Sequence, residues 1–98
     1  MQYEETVEKF KEALKLTPDN VNLWASWGVA LVEMQQFAEA AEKFQKAVEL
    51  QPDFVPAWYG WGISLKAQGK NEEAVEKFKK AGEITGPAAQ NPNDALNI

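Results

Sequence analysis

Residues 18–51 read PDNVNLWASWGVALVEMQQFAEAAEKFQKAVELQ, and residues 52–85 read PDFVPAWYGWGISLKAQGKNEEAVEKFKKAGEIT. The two stretches align without a gap, and 15 of their 34 aligned positions are identical. Self-similarity at a fixed period of this size is typical of proteins built from stacked repeats. The period therefore predicts the class of architecture before any single motif is considered.

A third, partial copy of the same pattern lies at the beginning of the chain. The residues that mark it are spaced by 34 positions and are Phe10, Phe44 and Phe78, together with Ala13, Ala47 and Ala81. A repeat array presents an extended surface, whereas catalysis needs reactive groups that converge on one point. The repeat therefore favours a binding function over an enzymatic one.

The positions that recur are small or aromatic residues in a fixed order. They are Trp24, Trp27, Gly28, Leu31, Ala40, Phe44, Ala47 and Pro52 in the first copy, and Trp58, Trp61, Gly62, Leu65, Ala74, Phe78 and Ala81 in the second. This order resembles the tetratricopeptide repeat (TPR) pattern, W-x2-L-G-x2-Y followed by A-x3-F and P. Each copy departs from it twice, with Trp in place of the Leu and Leu in place of the Tyr. Both replacements are apolar, and the resemblance extends over residues 1 to about 86.

The resemblance implies an all-α fold, a TPR-like α-solenoid of stacked antiparallel helix pairs with a right-handed superhelical twist. Apolar residues that recur every three or four positions independently predict helices. The spacing predicts five helices, at about 3–16, 20–34, 37–50, 54–68 and 71–84. The short loops between them indicate antiparallel hairpins.

The residues between the predicted helices carry helix stop and start signals. Segments 17–20 and 51–53 each combine a proline with a side chain that is able to cap a helix. We expect Gly69 to end one helix and Asn71 to cap the next, with the pair Gln35 and Gln36 taking these places less well in the first copy. Pro56 is expected in the first turn of its helix, where its missing N–H is not needed.

The phase of the repeat predicts how the chain is divided. We expect a TPR-like domain over residues 1–86, composed of a half repeat at 1–17 and full repeats at 18–51 and 52–86, with 87–98 as a tail, a loop or the stub of a further repeat. Solenoids usually end in polar capping helices, and neither predicted end has one. Apolar residues at the ends are therefore candidates for self-association: Tyr3, Val7, Phe10, Val75 and Phe78, with Ile84 beside them.

Composition excludes several classes of function. The chain has 98 residues, a hydrophobic fraction of 45%, no Cys and no His, which argues against disulfides, thiolate chemistry and Cys- or His-based metal sites. A net charge of −5 argues against nucleic acids and anionic membrane surfaces as partners. No apolar run is long enough to span a bilayer, and no secretory signal precedes the first helix. By default we expect a cytoplasmic protein without a cofactor.

A groove along the first helix of each repeat is the main functional candidate. In TPR proteins this concave surface takes an extended peptide or a helix, and the resemblance maps it onto Asn22, Ala25, Ser26, Val29, Val32, Pro56, Tyr59, Gly60, Ile63 and Lys66. Chaperone-binding members carry a Lys/Asn/Arg clamp there for a terminal carboxylate. Only Asn22 and Lys66 supply such groups here, so chaperone tails are not the expected ligand. The apolar character instead suits the hydrophobic face of a helix or a tail, including the chain's own residues 87–98.

The tryptophans allow two interpretations. Trp24, Trp27, Trp58 and Trp61 together with Tyr59 could form an aromatic cage for a cationic or proline-rich ligand. We favour a core role for the tryptophans, because two occupy the family's Trp position and two replace its core Leu. Tyr59 lies out of phase with them and is expected to face the groove.

Catalysis has no support in the motifs. The sequence contains no GxxxxGK[ST], HExxH, EF-hand or GxSxG. Neighbouring carboxylates such as Glu72 and Glu73 diverge by about 100° around a helix and do not converge on a substrate. Two hypotheses follow: a non-catalytic protein-interaction module that binds a peptide or helix in its groove, and a structural unit that oligomerises through uncapped repeat ends.

Overall fold

The computed structural model describes residues 2–86, and within them the chain forms five α-helices. They are α1 Gln2–Leu16, α2 Val21–Glu33, α3 Phe37–Leu50, α4 Val55–Ala67 and α5 Asn71–Thr85. The all-α prediction is confirmed, and each predicted boundary lies within about one residue of the observed one. Residues 87–98, which we assigned to a tail, lie outside the described part of the chain.

The helix ends confirm some of the predicted signals and correct others. The Asn20 side chain caps α2 by accepting a hydrogen bond from the Leu23 N–H at 3.2 Å, and Pro56 lies in the first turn of α4. The expectation that Asn71 caps α5 is wrong, because the cap position is Lys70 and Asn71 is already helical. No side chain caps α4 either: Phe54 occupies the cap position, so Asp53 lies one residue too early to serve.

The turns after α2 and α4 have the same geometry but different residues. After α4, Gly69 has a φ of 81° and the Lys70 N–H donates to the Leu65 carbonyl at 2.9 Å. After α2, Gln35 adopts a φ of 62° and the Gln36 N–H donates to the Leu31 carbonyl at 2.8 Å. A left-handed residue in this position is the usual way to close a helix with a Schellman motif. The two turns are therefore structural equivalents, although only one carries a glycine.

Helices α2 and α3 pack as one pair, α4 and α5 as another, and α3 joins the pairs by packing on α4. The buried residues on these surfaces form one core. Its members are Leu14, Ala25, Trp27, Leu31, Ala40, Phe44, Ala47, Val48 and Ala57. The α2 and α4 helices lie beside one another as a consequence, and their shared surface becomes the candidate site.

The Phe44 side chain of α3 lies where the two helix pairs pack together. It is 1% exposed and lies between α2 and α4. A Cβ atom added to Gly28 or Gly60 would lie 2.7 Å or 2.4 Å from the Phe44 Cζ atom. Only glycine permits this approach on both sides, because a Cβ contact below 3 Å is sterically forbidden. Gly28 and Gly60 thus set how closely α2 and α4 approach the Phe44 ring.

Helix α1 approaches the array less closely. It makes far fewer close backbone contacts with α2 than α3 makes with α4, although the two junctions are equivalent by the repeat. The residue of α2 that corresponds to Gly60 is Ser26, whose side chain leaves less room for a ring. Phe10, the counterpart of Phe44, instead stacks flat on Trp27 with ring centroids 5.8 Å apart. The N-terminal helix therefore stands off from its neighbours.

Candidate functional site

A shallow depression of about 420 Å³ lies between α2 and α4. It is lined by Asn22, Ala25, Ser26, Val29, Ala30, Glu33, Phe54 and Pro56. Five of these residues belong to the groove predicted from the sequence. The depression lies where α2 and α4 meet, because α4 packs mainly on α3 and only lightly on α2, which leaves the first helices of the two repeats side by side.

The exposed apolar groups around the depression follow the repeat. Val29 is 50% exposed and Ile63, which lies 34 residues later, is 40% exposed. Large aliphatic side chains in this state lose apolar surface to water when a partner covers them, which is favourable by about 25 cal/mol per Å². Glu33 adds the one acidic group of the lining. The surface thus combines two exposed aliphatic side chains, Val29 and Ile63, with the carboxylate of Glu33.

Three lining residues were not singled out from the sequence: Ala30, Glu33 and Phe54. The helical spacing contains the signal for the first two, because Asn22, Ser26, Ala30 and Glu33 follow each other at three or four residues and share one face of α2. Phe54 carries no such signal, since it lies in the turn before α4 and reaches the depression only through the packing of the two repeats.

Several predicted groove residues contribute little to the depression or lie outside it. Ala25 is buried, so it offers little surface to a ligand, and Val32 is half-buried against the core. Ile63 and Lys66 are exposed on α4 without lining the depression. Their assignment to a binding groove stays a prediction.

Tyr59 lies beside α5, in a second hollow. Its ring contacts Phe78 with centroids 5.2 Å apart and planes tilted by 58°. A hollow of about 230 Å³ here is lined by Val55, Tyr59, Phe78, Ala81, Gly82 and Thr85. Tyr59 thus joins the predicted groove helix α4 to a predicted self-association residue, Phe78.

The tryptophans are engaged by the chain itself. Trp24 stacks on Trp27 at 5.8 Å and Trp58 stacks on Trp61 at 5.6 Å, with planes about 20° apart. Lysine ammonium groups lie over two of these rings. The Lys43 Nζ is 4.2 Å from the centroid of the Trp27 ring, and the Lys77 Nζ is 4.1 Å from that of Trp61. The favoured core role fits Trp27, which is buried, while the other three indoles are half-buried.

The predicted self-association residues of α1 are partly covered. Tyr3, Val7 and Phe10 are half-buried and pack against the core cluster. The Tyr3 hydroxyl donates to the Glu39 carboxylate at 2.6 Å and ties α1 to α3. This hydrogen bond, with smaller effects of burial and of the carboxylate charge, raises the pKa of Tyr3 above its usual value of about 10.

The described residues offer no metal centre and no membrane span. Within residues 2–86, no three Asp or Glu side chains converge in a way that could hold a metal ion. No helix in the same range is long and apolar enough to cross a bilayer.

Comparison with known proteins identifies the family. A profile of the tetratricopeptide repeat matches residues 25–92, more than half of the chain. The chain belongs to the tetratricopeptide repeat family. Among curated proteins the same kind of comparison finds no match.

Solved structures named MamA have the same fold. MamA MSR-1 superposes with a TM-score of 0.78 at 31% identity, and the match covers 86% of this chain and 48% of that protein. MamA AMB-1 gives a TM-score of 0.78 at 31% identity, covering 86% and 50%. A third MamA crystal structure gives 0.80 at 24% identity, covering 92% and 54%, which supports the fold alone. The chain spans about half the length of these proteins.

Membership of the family assigns the chain to a broad functional class. TPR arrays are scaffolds that bind protein partners on extended surfaces. Which partner is bound, and through which residues, is a question of the site and not of the fold.

Proposed function

We propose that the protein is a non-catalytic interaction module that binds the apolar face of a peptide or helix over α2 and α4. The observation that carries the proposal is the pair Val29 and Ile63, exposed at equivalent positions of α2 and α4, of which Val29 lines the depression of about 420 Å³. Amphipathic helices and extended peptides dock on proteins through such regularly spaced apolar positions.

The charges around the depression favour a particular kind of ligand. Glu33 lines it and the chain carries a net charge of −5, so a peptide with a basic residue near its apolar anchors complements the surface. A peptide ending in an acidic tail does not, because Lys66 is the only cation among the predicted groove positions.

A peptide selected from a phage-displayed library, titrated by calorimetry, tests the proposal. Val29→Glu and Ile63→Glu are expected to weaken its binding by at least about tenfold, because a docked ligand would bury an unpaired carboxylate. Leu16→Glu serves as the matched control, since Leu16 is exposed at the end of α1 and lines neither hollow. Unchanged peptide affinity in both Val29→Glu and Ile63→Glu would contradict the placement of the binding site over α2 and α4.

A second candidate function is self-assembly through the open face of α5. Val75 is 62% exposed, whereas Ala41, its equivalent in α3, is 9% exposed. The hollow lined by Val55, Tyr59 and Phe78 belongs to the same face, which in α3 is covered by the next helix pair. A second copy that covers this face would remove exposed apolar surface from water.

Sedimentation velocity over a range of concentrations separates the two functions. Under self-assembly, the sedimentation coefficient of the wild type rises with concentration, and Val75→Glu abolishes the rise while Leu16→Glu does not. A wild-type protein that stays monomeric to about millimolar concentration excludes self-assembly and leaves the groove proposal intact.

A further inference from the structure

A third hollow, of about 390 Å³, lies between α1 and the α2–α3 pair. Leu14, Trp24 and Trp27 form its apolar floor, and Lys11, Lys15 and Lys43 form its rim. We call this hollow the α1 wedge. It shares no residue with the depression between α2 and α4, so it is a separate surface.

The wedge has a structural cause at the first junction. Ser26 replaces the glycine that lets Phe44 approach α4, and Phe10 accordingly stacks on the face of Trp27. Helix α1 is held away from α2, which leaves space beside the stacked indoles of Trp24 and Trp27.

The positive rim is specific to this junction. The α3 residues that correspond to Lys11 and Lys15 are Gln45 and Glu49, which are hydrogen bonded to each other at 3.3 Å. The cationic pair on α1 therefore has no counterpart at the α3–α4 junction. Two of the three rim lysines are therefore specific to α1, whereas Lys43 belongs to α3 and recurs as Lys77.

Within residues 2–86, none of Lys11, Lys15 and Lys43 forms an ion pair. The Lys43 ammonium lies 4.2 Å from the centroid of the Trp27 ring, whereas Lys11 and Lys15 have no partner in the same range. The α1 carboxylates Glu4, Glu5, Glu8 and Glu12 line another part of the surface together with Lys9. In a chain with a net charge of −5, the wedge is thus a local positive site over an apolar floor.

We propose that the α1 wedge binds an acidic peptide segment that contains an aromatic residue. The aromatic ring enters between Leu14 and the paired indoles, where offset or edge contacts between rings are favourable. Carboxylates on both sides of the aromatic residue pair with the lysine rim. Three cations on a net-negative protein are too few to follow a phosphate backbone, so a peptide fits this surface better than a nucleic acid.

The indole N–H of Trp24 is already hydrogen bonded within the chain. It donates to the Pro18 carbonyl at 2.9 Å, as the Trp58 N–H does to Pro52 at 2.7 Å. The indole of Trp24 is therefore held by its own loop and offers its ring, not its N–H, to the wedge. Recognition at the floor is apolar, and charge recognition is left to the three lysines.

The probe is the capped pentapeptide Glu-Glu-Phe-Glu-Glu, titrated into the ¹⁵N-labelled protein. We expect saturable shifts of the indole N–H signals of Trp24 and Trp27, with those of Trp58 and Trp61 unchanged. The peptide Glu-Glu-Ala-Glu-Glu should bind at least about tenfold more weakly, since it lacks the ring. Added NaCl should weaken binding because it screens the lysine rim.

Lys43→Glu and Lys77→Glu form a matched pair of variants. Both residues cover a tryptophan at nearly the same distance, 4.2 Å and 4.1 Å, but only Lys43 lines the wedge. Lys43→Glu should weaken binding of the peptide by about tenfold, because a carboxylate at this position repels the glutamates of the peptide. Lys77→Glu and Val29→Glu should bind the peptide with wild-type affinity.

Four results would overturn the proposal: no saturable shift at millimolar peptide, equal binding of the alanine peptide, equal loss in the two lysine variants, or loss in Val29→Glu. Shifts of Trp24 and Trp27 that follow protein concentration without peptide would assign the wedge to a second copy of the chain and overturn it as well. The groove over α2 and α4 is tested separately, by the affinity of its own selected peptide for Val29→Glu and Ile63→Glu.

Discussion

Phe44 and the glycines on either side of it determine how closely the helix pairs stack. The ring is buried between Gly28 of α2 and Gly60 of α4, and its far end meets both backbones. A Cβ atom at either glycine would lie less than 3 Å from the ring, so another carbon atom there requires the ring or a helix to shift. The side chain at one position thereby constrains the composition of two neighbouring helices.

Gly60→Ala is expected to destabilise the protein by about 1–3 kcal/mol, because its Cβ atom would lie 2.4 Å from the Phe44 ring. Alanine would otherwise favour a helix over glycine, so the sign of the effect is diagnostic. Urea unfolding measures it, with Ser26→Ala at the equivalent position of α2 as the control. A more stable Gly60→Ala variant would show that the ring is able to move.

At the scale of the helix, the turns after α2 and α4 close their helices with the same geometry but with different residues. Gln35 and Gly69 both adopt a positive φ after their helix, and a residue with a Cβ atom pays about 1–2 kcal/mol for that conformation. Trp27 of α2 shows a second local cost. Its indole N–H is buried without a partner in residues 2–86, which costs about 1–3 kcal/mol. Both features lower the stability of the first full repeat relative to the second.

Gln35→Gly is expected to stabilise the protein by about 0.5–1 kcal/mol, since glycine adopts the positive φ without strain but adds entropy to the unfolded chain. The reverse exchange, Gly69→Gln, should destabilise it by a similar amount. Thermal and urea unfolding of both variants checks the pair, and effects of the same sign would contradict the explanation.

The link between Tyr3 and Glu39 is expected to make the docking of α1 depend on pH. The hydrogen bond raises the pKa of Tyr3 in the folded state, so its stabilising effect is complete below the unfolded value of about 10 and is lost as pH rises through the folded value. Wild type should therefore exceed Tyr3→Phe in stability at pH 8, and the difference should vanish at higher pH. A difference that grows with pH would refute this.

At the scale of the whole molecule, equivalent residues differ because the stack is not uniform. Phe44 lies between two glycine-bearing helices, whereas Phe78 contacts Gly62 and Tyr59, which both belong to α4. Position in the array also exposes Val75 and buries Ala41. Three separate surfaces follow: the depression over α2 and α4, the hollow on α5 and the α1 wedge.

Phe44→Ala is expected to cost about 3–5 kcal/mol, the usual range for a fully buried ring. Phe78→Ala should cost clearly less, because its ring is only half-buried and leaves a smaller cavity. Chemical unfolding of the two variants measures the difference. Equal costs would mean that the open face of α5 is covered in solution.

The sequence by itself determined the repeat, the family and the five helices, because these depend on local spacing: apolar residues every three or four positions and a pattern that returns after 34. It also indicated most of the α2 side of the depression, since residues on one helical face share a phase. It did not decide which residue caps α4 or α5, where a shift of one residue separates Asp53 and Asn71 from the cap positions.

Only the tertiary structure decided where side chains meet across helices. Tyr59 contacts Phe78, Phe54 enters the depression, and α1 leaves a lysine-rimmed wedge beside Trp27. These contacts depend on the distance between helices, and that distance is set by whether the facing position holds a glycine or a serine. A periodic sequence specifies which residues are equivalent, whereas packing determines what surrounds each of them.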